Sequence, residues 1–183
     1  IKGGTVDVII SVAEKQGFDV IVMGTQGASG LEEIFIGSTA NGVIRNTDTP
    51  VLVIPSGFTY RPIQTIALAV DEEEDFNAEI LAPLVKIAQK NTALLRIYHK
   101  DIAHDGLNTT VDRYLDGLER TYHYELDTDN INEGINQFVR EHKADLLCMI
   151  RRKRSFLEQV FHESVTTSTV FDSPVPLLIL HEA

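Results

Sequence analysis

Three glycines and a serine have the spacing to hold a phosphate: Gly24, Gly27 and the pair Gly37-Ser38. A short apolar run, Val20–Met23, stops at Gly24. After Ser38 a helical stretch leads to a second apolar run, Val51–Ile54. A strand that ends in spaced glycines and feeds a helix lets backbone N–H groups approach an oxyanion, and the helix N-terminus adds a positive dipole end. No Gly-Lys-Ser/Thr follows, and the spacing is not that of a dinucleotide fingerprint. Glycines alone also suit a purely structural strand-to-helix connection. The strand on each side and the serine after the last glycine raise the specificity of the phosphate reading.

Other reactive groups form no comparable pattern. The histidines at 99, 104, 123, 142, 162 and 181 include no H-x3-H pair, and no cysteine pair exists, so no metal site is expected. There is no G-x-S-x-G elbow and no recognisable nucleophile or acid–base set, so no catalytic residue is expected. The single Cys148 lies in the apolar run LLCMI and reads as a buried structural thiol. Asp71–Asp75 (DEEED) reads as a solvated loop, with a divalent-cation site as the alternative. Arg151–Arg154 is a basic patch in an acidic chain: either a solvated loop, or a docking site for an anionic metabolite, phosphate or acidic partner.

Bulk properties narrow the classes. The chain has 183 residues, 43% of them hydrophobic, with a mean hydropathy of −0.03, as expected of a soluble globular protein. Its net charge of −11 argues against a nucleic-acid binder, which needs a basic face. No apolar run approaches the ~20 residues that span a bilayer, and no signal-peptide pattern is present, so the expected location is cytoplasmic. The sequence starts at Ile1 rather than Met, which reads as a processed, trimmed or partial chain.

The pattern G-x2-G-x9-G-S, carried by Gly24, Gly27, Gly37 and Ser38, resembles the ATP-binding loop of the universal stress protein family. The flanks agree: Val20–Met23 before the first glycine, and Pro50–Ile54 after the helix. The resemblance implies a nucleotide-binding, Rossmann-like (α/β-hydrolase-like) α/β fold. Its open parallel sheet would have five strands in the order 3-2-1-4-5, with the ligand at the switch point. It further implies that Gly24, Thr25, Gly27, Gly37, Ser38 and Thr39 contact an adenine nucleotide, ATP with or without magnesium, in a non-catalytic stress-response regulator that acts through binding and dimerisation.

The chain also repeats itself. At an offset of 126 positions, Asp19–Ile54 lies on Asp145–Leu180 without a gap. Asp19 meets Asp145, Met23 meets Met149, Ser38 meets Ser164 and Pro50 meets Pro176, while VLVI meets LLIL. Between the repeats, strands are expected at Gln64–Val70, Ala93–Tyr98, Tyr122–Leu126, Asp145–Ile150 and Leu177–Leu180. Helices are expected at about 75–90, 106–121, after Asn130 as a cap, and near Ser164–Phe171. Strands alternating with helices indicate a parallel α/β sheet. The expected organisation is the C-terminal half of a first stress-protein domain at 1–57, a linker at 58–62, and a complete second domain at 63–183. Val20–Met23 would then present an unpaired apolar edge, calling for a homo-oligomer or a complementary N-terminal fragment.

Across the repeat the phosphate loop changes character. Gly24 becomes Ile150, Gly27 becomes Lys153 and Gly37 becomes Glu163; only Ser38 keeps its type, as Ser164. Side chains, one of them a carboxylate, would stand where anionic oxygens sit. Asp71 matches the family position that contacts adenine or ribose, with a solvated strand-end carboxylate as the alternative. Two functional readings result. One is ATP binding through the first loop, weak in this chain because the adenosine side would lie upstream. The other is a non-nucleotide interaction module in which Val51–Ile54 and Leu177–Leu180 pair as dimer edges and the glycines serve geometry alone.

Overall fold

The computed structural model describes residues 4–25, 37–70, 77–99, 109–124, 131–151 and 173–182. Seven strands form one sheet: β1 (Ile21–Gly24), β2 (Val51–Ile54), β3 (Thr65–Val70), β4 (Leu94–His99), β5 (Arg120–Tyr124), β6 (Leu146–Arg151) and β7 (Leu177–His181). Their spatial order is β1-β2-β7-β6-β3-β4-β5. Every neighbouring pair is parallel except β2 and β7, which run antiparallel with Leu52 opposite Leu178. The strands β3 to β7 carry the expected order 3-2-1-4-5. The expected five-stranded sheet is corrected to seven, because the apolar strands β2 (VLVI) and β7 (LLILH) join edge to edge within one chain.

Helices cover both faces. α1 (Thr5–Gln16), α2 (Ser38–Asn46) and α5 (Ile131–Glu141) bury Ala13, Val43, Ile44, Ile135, Phe138 and Val139 against Val51, Val53, Ala67, Ala69, Leu147 and Met149. On the other face α3 (Ala78–Asn91) buries Ile80, Leu81, Leu84 and Ala88 against Ile66, Leu68, Cys148 and Ile150. Strands buried on both faces read as continuous apolar runs, which is why β3 and β6 were legible at once. Cys148 is a buried free thiol, as its apolar setting implied.

Local chemistry sets the element ends. The Asn77 side chain accepts the Ile80 N–H at 2.8 Å and caps α3. The linker is tied down by Asp145, whose Oδ1 pairs with Arg61 Nε at 2.8 Å. Its Oδ2 accepts the Gln64 and Thr65 N–H groups at 2.9 and 3.0 Å. The helix expected at 106–121 is shorter among the described residues: α4 spans Thr109–Tyr114. A turn follows in which Gly117 adopts φ +77°. Arg120 then donates to the carbonyls of Leu115 and Leu118 and starts β5, two residues ahead of the expected Tyr122. Asn130, Asp71–Asp75, Arg152–Arg154 and Ser164–Phe171 lie outside the described residues.

Candidate functional site

The carboxyl end of β1 and the amino end of α2 meet at Thr25. Its N–H donates to the Ile54 carbonyl at 3.0 Å, and its carbonyl accepts the Gly37 N–H at 2.7 Å. Its hydroxyl accepts the Ser56 N–H at 3.1 Å. One buried threonine therefore fixes the strand end, the segment after β2 and the residue that opens the helix.

Gly37 is the N-cap of α2, with extended geometry (φ −57°, ψ 154°) and no side chain to offer the helix. The first N–H groups of a helix have no intrahelical acceptor, and a Ser, Thr, Asp or Asn at the cap normally supplies one. Glycine leaves those of Ser38, Thr39 and Ala40 for an external acceptor, and the helix dipole favours an anionic one.

An open cavity of about 410 Å³ lies over this end. Gly24, Thr25, Gly37, Ser38 and Thr39 line it, with Ile9 of α1 and the β1 residues Ile21, Val22 and Met23 among the rest. Five of the six site residues expected from sequence are thus together; Gly27 lies outside the described residues. Thr25 lines the cavity while also serving as the local brace. Ile9 was missed as a wall, because an apolar residue on a helix carries no signal that places it at a cavity. Among the described residues the lining carries hydroxyls, backbone amides and apolar groups.

The far end of α2 is held differently. Asn46 donates its side-chain amide to the Gly42 carbonyl at 2.7 Å, and the Thr47 N–H donates to Val43. The Ile44 carbonyl is met by Nε2 of buried His181 on β7. Burial holds the His181 imidazole below its ordinary pKa, with the Ile44 carbonyl pulling the other way. Halfway along, Gly42 faces α1: a Cβ there would stand 2.8 Å from Val6 Cγ2. That close crossing sets the distance between the two helices that flank the cavity.

The counterpart of the cradle across the repeat is different where it is described. Ile150, which stands for Gly24, is a core residue under α3. Lys153, Glu163 and Ser164 lie outside the described residues. Two other histidines, His123 on β5 and His142 after α5, pack with their rings tilted by 50° at 4.3 Å between centroids, beside Phe138. Among the described residues no three His, Cys, Asp or Glu side chains come together as a metal site. No helix among them is long and apolar enough to cross a membrane.

The chain's likenesses agree with this architecture. A universal stress protein from Archaeoglobus fulgidus DSM 4304 superposes with a TM-score of 0.70 at 21% identity, covering 97% of this chain and 65% of that one. A putative universal stress protein from Pseudomonas aeruginosa gives 0.63 at 16% identity, covering 98% of this chain and 69% of that one. These likenesses concern the fold. In sequence, universal stress protein MJ0531 of Methanocaldococcus jannaschii is 48% identical over 54 residues, and MJ0577 of the same organism 44% over 46. The matches span 32% and 28% of those two relatives, and 30% and 25% of this chain. The sequence profile of the Universal stress protein family matches residues 1–55 and 63–181. The chain belongs to the universal stress protein family.

Proposed function

We propose that this protein is a non-catalytic, cytoplasmic stress-response regulator that binds an adenine nucleotide, ATP, with its phosphates at the N-terminus of α2. The observation that carries the reading is the uncapped first turn of α2 opening onto the cavity at the end of β1. The backbone amides of Ser38 and Thr39 and the hydroxyls of Ser38 and Thr39 are the phosphate donors, and Gly24 and Gly37 give the oxygens close access to the backbone. Magnesium, where bound, is held chiefly by the phosphates and water rather than by a protein cage. The division into residues 1–57, a linker at 58–62 and residues 63–183 is supported by the separate family matches on either side of the linker. In that division only the first unit keeps a glycine cradle.

Calorimetry with ATP and with inorganic triphosphate tests the reading. Gly37→Asp puts a carboxylate over the free N–H groups of α2, where it caps the helix and repels phosphate. Binding is expected to weaken at least tenfold while thermal stability holds or rises. Equal binding by wild type and variant would refute the assignment.

A second reading is favoured by the antiparallel β2–β7 pair, in which Val51 to Val53 lie opposite Ile179 to Leu177. Here the protein is an interaction module built on that strand pairing, and the glycines serve geometry. Absence of any nucleotide or triphosphate binding to the intact chain selects it.

A further inference from the structure

β1 and β5 stand at opposite ends of the strand order. At the usual strand spacing this puts roughly 29 Å of sheet between the α2 cradle and β5. On the face of β4 and β5 that α5 covers stands a second group of polar side chains. Arg96 lies opposite Thr121, and Tyr98 opposite His123. Alternation along each strand puts all four on one face, and Tyr98 packs on Phe138 of α5 at 5.1 Å between ring centroids. His142, just after α5, closes the group, its ring 4.3 Å from that of His123 and 4.4 Å from that of Phe138.

The charge of this group is unbalanced. Arg96 is half-buried. Among the described residues no carboxylate pairs with it, and its buried Nε meets no acceptor. A covered guanidinium normally has both. Burial, then His142 and Arg96, lower the pKa of His123. Burial and Arg96 lower that of His142, while Glu141 opposes them. Glu141 is itself engaged, its Oε1 accepting the Gln137 side-chain amide at 2.7 Å. His123 Nε2 shares a hydrogen bond of 3.0 Å with the Thr121 hydroxyl, which sets the ring's orientation.

Ring packing accounts for Tyr98 and Phe138. It does not account for a guanidinium left without an acid beside two imidazoles, in a chain with 27 Asp and Glu residues. A metal cation would face the Arg96 charge, and among the described residues no third His, Cys, Asp or Glu joins the pair. An anion suits the same groups. The arginine fork matches a tetrahedral oxyanion, and imidazole and hydroxyl donors can complete its shell.

We propose that Arg96, His123 and His142 form a binding site for a tetrahedral oxyanion of the phosphate class, with Thr121 beside it, separate from the cradle on α2. A bound anion lowers the cost of charging the imidazoles, so protons and anion bind together. Affinity therefore rises as pH falls through and below 6.5, the ordinary histidine value from which both are lowered. Arg96 from β4, His123 from β5 and Glu141 and His142 from the end of α5 are the charged groups that set this response.

The test titrates the intact protein, labelled in its histidine side chains and backbone amides, with sodium sulfate at constant ionic strength and without nucleotide. Sulfate keeps both charges across the range, so a pH effect belongs to the protein. At pH 6.0 the His123 and His142 ring signals are expected to shift along a saturable curve, with affinity at least fivefold higher than at pH 7.5. Arg96→Gln is expected to weaken binding at least tenfold, while Lys90→Gln, an exposed cation on α3, leaves it unchanged. His142→Asn removes one titrating ring and is expected to flatten the pH dependence; it decides the matter should Arg96→Gln fail to fold. Four results would overturn the proposal: no saturable ring shift at pH 6.0, saturable shifts confined to the Ser38 and Thr39 amides, equal affinity at the two pH values, or wild-type binding in folded Arg96→Gln or in His142→Asn.

Discussion

Nε2 of His181 on β7 donates to the Ile44 carbonyl near the C-terminus of α2 at 2.9 Å, across 137 residues of sequence. The last carbonyls of a helix have no intrahelical donor, so this imidazole acts as a cap supplied from a distant strand. It also fixes the tautomer, because a nitrogen facing a carbonyl must carry the proton. α2 is thereby anchored at one end by Thr25 and at the other by His181.

That anchor predicts a pH response. Burial lowers the His181 pKa from 6.5; Arg151 lowers it further, and the Ile44 and Thr49 backbone and Asp48 oppose. His123 is lowered by burial, by His142 and by Arg96. His142 is lowered by burial and Arg96, against Glu141. Each imidazole takes its proton more readily in the unfolded chain, so stability is complete above about pH 6.5 and falls as pH drops through and below that value. The melting temperature is expected to be lower at pH 5.5 than at 7.5, with a smaller difference in His142→Asn. His181→Leu is expected to cost about 1–3 kcal/mol at pH 7.5, because it leaves the Ile44 carbonyl buried without a donor.

Asp112 holds the start of β5. Its Oδ1 accepts from Arg120 Nε at 2.6 Å and from the Tyr122 hydroxyl. Burial first, and then the bond to Asp112, push the Tyr122 pKa up to about 12. In Asp112→Ala, ultraviolet titration is expected to show the most resistant tyrosine moving down towards 10. A titration identical to wild type would contradict this coupling.

Asp145 and Asp19 should respond unequally to the same change. Asp145→Ala removes an ion pair and the acceptor of two backbone amides from a carboxylate whose side chain is 12% exposed. A loss of about 2–3 kcal/mol in denaturant unfolding is expected. Asp19→Ala is expected to stay within about 0.5 kcal/mol in the isolated chain, as for an ordinary surface substitution.

Gly42 sets the α1–α2 crossing. Gly42→Leu must displace Val6, and overpacking of this kind costs about 1–3 kcal/mol. The melting temperature is expected to fall, and triphosphate affinity with it, because Ile9 and the first turn of α2 wall the same cavity. A variant as stable as wild type would show that the helices can part without strain.

Much of this was readable in one dimension. QTIALAV and LLCMI are strands because apolar runs this short, bounded by Asp or Arg, suit a sheet buried on both faces, and VIVMG is the strand at the sheet's edge. The Gly24 and Gly37-Ser38 spacing marked the junction of β1 and α2 because glycine at a strand end and at a helix cap has a direct backbone consequence. The end of α4 was not readable. Leu115 and Leu118 keep helical spacing, and it is the Arg120 side chain, drawn onto their carbonyls, that stops the helix.

Sequence by itself determined the family, the alternation of strands and helices, the strand order of β3 to β7 through family resemblance, and five residues that come together at the cavity between β1 and α2. These rest on local chemistry: periodicity, caps and glycine spacing act within a few residues. Only the tertiary structure decided that β2 and β7 fuse the sheet to seven strands, that His181 caps α2, and that Val22 is bare where Cys148 is buried. Those facts depend on which edges and ends meet across more than a hundred residues. A strand's side-chain pattern records what its faces touch, and not whether its edge has a neighbour.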